Sequence, residues 1–509
     1  MPSSRRRCGA GALWFAAAAA LVLLTPAPAE AYIGPGAGFV LLSSILTFVA
    51  TIFLALLALV LWPFRKAWRI FRPVRRGPAF ARRLIVVGLD GQDAGLTERL
   101  MTQGKLPVLK TLAEIGGYRR LRATSSSESP SVWSWFSTGA DPGKDNASKP
   151  FWCVLGEHGI WSTILRVPIT DPPDKFHGAQ LSAMSVPDLR GTNGTFTLLT
   201  TRPTEGQRQT GLRIPLEFKN DRALCELPGP ENSFMKSAPA LRVRLAINLI
   251  RPTRAVRVEA DGASVVLQPG RMSDWIPMNF GALPGVKISG ICRLLLLEMD
   301  DHVSLYVTPI NIDPDKPARP IAYPRYYATY LAKRVGRFAT LGFAEDTRAL
   351  NEGVIGVGDF VRQAYDVDRE REAIFFAGLD RLRSGALVCV FDCTDRVQHV
   401  CGPDTAEIEK LYRHNDALVG RIMATLRPDD LFLVLSGHGF AANSATGITA
   451  ESPGILFSNR KIDSADPGLV DIAPTVLRTF GVTPLPQMGG ASLFDFAAST
   501  AGRARGVAT

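Results

Sequence analysis

Three apolar runs in this 509-residue chain end in side chains with metal-binding chemistry. Leu84 to Leu89 stops at Asp90. Leu431 to Leu435 runs into Ser436-Gly437-His438-Gly439, and Val388 to Phe391 is followed by Asp392, Asp395 and His399. Asp395 and His399 lie four apart, so a helical turn puts both on one face. An aspartate there can equally cap a helix. A hydroxyl-rich stretch, Ser125 to Ser131, precedes the aromatic Val132-Trp133-Ser134-Trp135-Phe136. Most of its serines serve turns or caps, and one at a helix start would sit where anions bind. Carboxylates and imidazoles suit zinc or manganese, so the combination reads as a two-metal phosphoester site.

The runs that carry these residues have the near-continuous apolar character of strands buried on both faces of a parallel sheet. In open α/β sheets ligands bind at the carboxyl ends of the strands, where Asp90, Asp395 and His438 fall. A helix is predicted over Leu106 to Ile115, and helical patterns return between Arg325 and Arg383. Between 150 and 326 the texture changes to short alternating stretches, with Asp261-Gly262 as a hairpin turn and strands at Cys292 to Leu297 and Val303 to Val307. This region reads as a β-rich insertion over the site. His158, His177 and His302 within it stand alone and read as surface or packing residues. Asp471-Ile472-Ala473-Pro474-Thr475 starts a closing helix.

Composition is that of a globular protein, 46% hydrophobic and 21% charged. The formal charge of +11 is local: residues 1–83 hold eleven Lys/Arg against Glu30 alone, giving 11 − 1 = +10. That concentration is a topology signal and leaves no basic surface for nucleic acid. Arg5-Arg6-Arg7 precedes an apolar segment ending near Ala29-Glu30-Ala31, so 1–31 reads as a signal peptide or first membrane span. The uncharged run 39–62 is long enough for a transmembrane helix. A basic linker over 63–83 comes next, and the positive-inside rule puts the large C-terminal region on the cytoplasmic side of the inner membrane. Seven scattered cysteines without a C-x-x-C pair exclude a disulfide scaffold, and Cys393 reads as a small buried residue rather than a soft metal ligand.

The motifs resemble those of the type I phosphodiesterase and nucleotide pyrophosphatase branch of the alkaline phosphatase superfamily. They are Val87-Gly88-Leu89-Asp90-Gly91, Gly104-Lys105-Leu106-Pro107, Ser129-Pro130, Ser137-Thr138-Gly139, Asp141-Pro142-Gly143-Lys144, Thr394-Asp395-Arg396-Val397-Gln398-His399 and Asp471-Ile472-Ala473-Pro474-Thr475. The resemblance implies a doubly wound α/β domain over 84–149 and 327–497, the insertion at 150–326, a tail at 498–509, and two divalent metals, zinc first, roughly 4 Å apart. It assigns Asp90 and His438 to one metal and Asp395 and His399 to the other. Ser129, ten residues before Gly139, becomes the nucleophile and a ligand of the first metal. Two positions depart from the family. Gly437 stands where the family has an aspartate ligand, and no histidine comes after His438 to complete the Asp395 metal; Glu451 is the carboxylate nearest that place. Restoring an aspartate at 437 is expected to raise metal affinity.

The sequence supports two functions. One is a membrane-anchored, metal-dependent hydrolase of a small phosphate ester. The other is a catalytically impaired relative that binds a ligand or assembles a complex at the membrane. A phosphomutase on the same fold fits less well with an insertion and an anchor.

Overall fold

The computed structural model describes residues 51–53, 57, 77–122, 129–140, 148–202, 210–235, 239–342, 346–402, 405–440 and 452–496. The chain divides into two units, Met1–Pro73 and Val74–Thr509. In the first, only residues 51–53 and 57 are described, and they are helical. Segment 1–31, nearly all of the span at 39–62, most of the linker at 63–83 and the tail at 498–509 lie outside the described residues. Among the described residues no helix is long and apolar enough to cross a membrane.

The second unit is a mixed α/β fold. Its first part holds β1 (Arg83–Leu89), α1 (Ala94–Thr102), α2 (Pro107–Gly116), β2 (Tyr118–Leu121), α3 (Ser129–Thr138), α4 (Phe151–Glu157), β3 (Ser162–Leu165) and β4 (Gly178–Leu181). Eleven strands come next, β5 (Thr197–Thr200), β6 (Leu212–Pro215), β7 (Arg222–Glu231), β8 (Ala240–Ile250), β9 (Ala255–Ala260), β10 (Ala263–Leu267), β11 (Ile276–Leu283), β12 (Val286–Cys292), β13 (Leu294–Met299), β14 (Val303–Val307) and β15 (Asn311–Ile312). The chain then returns through β16 (Ala322–Tyr323), α5 (Tyr326–Val335), α6 (Thr347–Asn351), α7 (Val357–Leu379) and β17 (Gly385–Phe391). It closes with α8 (Cys393–Cys401), α9 (Ala406–Met423), β18 (Asp430–Leu435), β19 (Gly454–Ser458) and α10 (Ile472–Thr479).

Eight strands form the main sheet in the order β16-β4-β3-β17-β1-β18-β19-β2. The five from β4 to β18 are parallel, and the outer pairings are antiparallel. Strand β1 is central, and all seven of its residues are buried. Because side chains alternate across a strand, Ile85, Val87 and Leu89 join one core with Leu109, Phe375, Val397 and Leu411, while Leu84 and Val86 join another with Val132, Trp133, Trp152 and Val476. Helices α2, α7, α8 and α9 therefore cover one face and α3, α4 and α10 the other, which makes the sheet doubly wound. Burial on both faces explains the unbroken apolar sequence of β1, β17 and β18.

Within the stretch 150–326 read as an insertion, β3, β4 and β16 pair into the main sheet, so the strands that leave it are β5 to β15. These form three smaller sheets, β10-β9-β8-β7, β11-β12-β15 and β13-β14-β5-β6. Four-residue strands such as Ser162–Leu165 are too short to carry a period that would separate them from the insertion. The Asp261-Gly262 hairpin is present: Ala260 pairs with Ala263, and both turn residues take positive φ, 41° and 85°.

Candidate metal and phosphate site

Strands β17, β1 and β18 are neighbours, and their carboxyl ends are level, Leu89 pairing with Phe391 and Gly88 with Leu435. Asp90, the residue after β1, donates its backbone N–H to the Phe391 carbonyl at 2.8 Å. Gly91 then turns with φ 74°, and a Cβ there would lie 2.8 Å from the Cα of Asp395. A side chain at 91 would push the first turn of α8 away, so the glycine lets Asp395 approach Asp90. The Gln398 side chain fixes this approach by donating to the Gly91 carbonyl at 2.8 Å.

The buried half of the site is Asp90 with His438. Both are almost fully enclosed, at 1% and 5% exposure. His438 Nδ1 lies 3.1 Å from the Gly439 carbonyl, which can only accept, so Nδ1 carries the hydrogen and Nε2 turns toward Asp90. Nε2 and Asp90 Oδ1 stand 3.2 Å apart, and neither has any other hydrogen-bond partner. Two buried acceptors facing each other in this way require a proton or a cation between them. Burial raises the pKa of Asp90, with His438 opposing. Burial would lower that of His438, but Asp90 and Asp395 outweigh it and raise His438 to about 9. A proton is thus held in the gap, and a metal would displace it. The donor set and the orphaned atoms fit a divalent metal at this position.

The second half is open. Asp395 occupies the first turn of α8 and His399 the last, with Nε2 3.5 Å from Asp395 Oδ1. The His399 side chain is 43% exposed, and the edge of its ring meets Phe440, the centroids 5.4 Å apart. Its pKa is raised, first by the Asp395 contact. Asp392, the first carboxylate after β17, is committed elsewhere: Arg371 and Arg396 contact it at 2.5 and 2.8 Å. Burial would raise its pKa, but the two guanidinium groups hold it well below the carboxylate range. Cys393 is packed in the core.

The structure therefore brings Asp90, Asp395, His399 and His438 to one place. Ser129 is the first residue of α3, one turn before Trp133. In the sequence Trp133 reads only as an aromatic core residue; its indole N–H in fact points at Asp90 Oδ2, 3.3 Å away. Its ring packs where a Cβ on Gly88 would stand, 2.6 Å from the nearest ring atom, so the small residue at 88 admits the tryptophan. Glu451 lies outside the described residues. Gly437 does not leave a vacant ligand slot: a Cβ there would meet Val132 Cγ1 at 2.5 Å and Leu469 Cδ1 at 2.8 Å. An aspartate at 437 would therefore have to displace the Val132 and Leu469 side chains before it could act as a ligand.

Asp471, by contrast, is structural. Its carboxylate accepts from the backbone N–H of Gly468 at 2.8 Å and of Ala491 at 2.6 Å. A cavity of about 450 Å³ lined by Trp161, Thr163, Tyr327, Tyr330 and Arg381 opens near the amino ends of β3 and β17, at the opposite end of the sheet.

Residues 318–467 match the family model described as type I phosphodiesterase / nucleotide pyrophosphatase. The matched segment contains Asp395, His399 and His438 and leaves out Asp90 and Ser129. No curated protein matches the sequence. Among solved structures, a protein in the alkaline phosphatase superfamily from Vibrio parahaemolyticus is similar at 12% identity and TM-score 0.33, covering 82% of this chain and 72% of that one. The lipoteichoic acid synthase LtaP from Listeria monocytogenes is similar at 11% identity and TM-score 0.31, covering 84% of this chain and 79% of that one. The PsFucS1 sulfatase from Pseudoalteromonas sp. is similar at 13% identity and TM-score 0.33, covering 82% and 70%.

Proposed function

We propose that this chain, whose motifs resemble those of the alkaline phosphatase superfamily and whose residues 318–467 match the type I phosphodiesterase family model, hydrolyses a small phosphoric ester with Ser129 as nucleophile. The observation that carries the reading is the facing pair Asp90 Oδ1 and His438 Nε2, buried, 3.2 Å apart and without other hydrogen-bond partners at the carboxyl ends of adjacent strands.

Asp90 and His438 would hold one divalent metal, and Asp395 and His399 a second. Such metals supply Lewis-acid polarisation of the ester and lower the pKa of a bound hydroxyl. The chain's own groups do the positioning. Trp133 donates to Asp90 Oδ2 and fixes the carboxylate plane. The Gly439 carbonyl fixes the tautomer of His438. Ser129 stands at the start of α3, where the positive end of the helix dipole favours the phosphate anion. In the reaction the Ser129 oxygen bonds to phosphorus as the bond to the leaving ester oxygen breaks, the serine proton passing through solvent to the departing alcohol. Water then cleaves the serine–phosphorus bond and releases phosphate.

The packing around Gly437 favours a second reading, in which the site binds an ester without turning it over. Hydrolysis of bis-p-nitrophenyl phosphate separates the two. The first predicts turnover that a chelator abolishes, that added zinc or manganese restores, and that Ser129→Ala removes. Metal-independent release, or equal release by Ser129→Ala, would defeat it.

Membrane anchoring through 39–62, with the catalytic unit on the cytoplasmic face, completes the proposal; the basic residues of 63–83 support it. A C-terminal reporter active only in the periplasm would contradict that orientation.

A further inference from the structure

A second cluster of ligand-type side chains lies away from the strand ends. Helix α7 carries Asp368 and Glu372 four residues apart, hence on one face, and α9 presents His414 against them. One ligand atom from each lies within 4.8 Å of the other two. His414 Nε2 is 2.7 Å from Glu372 Oε1 and 3.2 Å from Asp368 Oδ2. His414 is thereby ion-paired with one oxygen of each carboxylate, while the other oxygen of Asp368, Oδ1, has no hydrogen-bond partner. Both carboxylates are more than nine-tenths buried, at 4% and 7% exposure. Burying the unpartnered Asp368 Oδ1 beside a second carboxylate is costly unless a cation lies against it.

We infer that Asp368, Glu372 and His414 form a structural binding site for a zinc-class divalent cation, separate from the strand-end site. The donor set, one imidazole and two carboxylates, is one that zinc or manganese accepts with water completing the shell. Cation–donor distances of roughly 2.0–2.2 Å place neighbouring donors about 3–3.5 Å apart, so the Glu372–His414 contact opens by about half an ångström on binding. Arg421 holds the other oxygen of Glu372 and orients the carboxylate from outside. The His414 side chain is partly exposed, which gives the ion a route from solvent.

The location gives the site a role. Helix α8, which carries Asp395 and His399, packs against both α7 and α9. A cation tying α7 to α9 would fix the two supports of α8 and with them the open half of the strand-end site.

The test is the zinc content of the full-length chain by mass spectrometry after equilibration with zinc and dialysis, together with cobalt(II) absorption spectra. Wild type, His414→Gln, Asp368→Asn and Asp90→Asn are compared, with circular dichroism to confirm folding. The site predicts that His414→Gln and Asp368→Asn each lose one equivalent that Asp90→Asn keeps. It also predicts that added zinc raises the Tm of Asp90→Asn but not of Asp90→Asn/His414→Gln. Unchanged metal content and cobalt spectrum in a folded His414→Gln or Asp368→Asn, or a zinc-induced Tm rise in Asp90→Asn that survives in Asp90→Asn/His414→Gln, would overturn it. Because the readout is metal count and melting, failure here leaves the Ser129-dependent hydrolysis test intact.

Discussion

The two halves of the strand-end site use the same pair of residue types and differ in almost everything else. Asp90 and His438 lie just beyond two adjacent buried strands, are enclosed, and face each other at 3.2 Å with those two atoms otherwise unpaired. Asp395 and His399 sit on one edge of α8, 3.5 Å apart, with the histidine open to solvent. Electrostatic coupling strengthens with burial, so the enclosed first pair interacts strongly and the second, partly in water, more weakly. On the proposed function, the buried half would hold the first metal and the open half the second.

Substitutions that treat both halves alike would break this comparison. The largest effect is expected from His438→Ala, which strands the buried Asp90 carboxylate with Trp133 as its remaining side-chain donor. Loss of about 3–5 kcal/mol in a urea unfolding experiment is expected, with hydrolysis abolished. Next is Gly437→Asp, whose side chain enters the wedge between Val132 and Leu469. Overpacking costs about 1–3 kcal/mol, so a lowered Tm with no gain in zinc affinity is expected. His399→Ala is milder: its pair with Asp395 is partly exposed, so stability should change by less than about 1 kcal/mol while hydrolysis falls. A loss as large as that of His438→Ala would erase the distinction.

The smallest effect serves as a remote control. Burial pushes the Glu352 carboxyl up, but Thr210, Arg213 and the Gly211 backbone N–H outweigh it and hold it at about 2. Its folded pKa is below the unfolded value, so its stabilisation is full above about 4.5 and is lost as pH falls toward 2. Glu352→Gln should flatten the acid limb of stability against pH and leave metal content unchanged, as measured by thermal melts from pH 2 to 6.

Much of the site is legible in the sequence because parallel strands buried on both faces leave an unmistakable apolar run, and the residues just past such a run lie at a strand end. Asp90, Asp395, His399 and His438 stand out in that way, and the Asp261-Gly262 hairpin by its turn chemistry. The rest depends on contacts between distant segments. Nothing local in Trp133 announces that it reaches Asp90, and Gly437 reads as a missing ligand until Val132 and Leu469 are seen to fill its space. Asp368, Glu372 and His414 lie on two amphipathic helices, where a carboxylate or histidine looks like any solvated polar residue until the helices are packed. The strands β3, β4 and β16 read as part of the insertion because four residues or fewer carry no period.

The most direct measurement is anomalous diffraction at the zinc edge from crystals of the protein grown with excess zinc. A peak between Asp90 Oδ1 and His438 Nε2, stronger than any peak at Asp395 and His399, is the predicted result. An empty gap between Asp90 and His438, with their side chains joined only by a proton, would contradict a metal-dependent hydrolase built on the buried half.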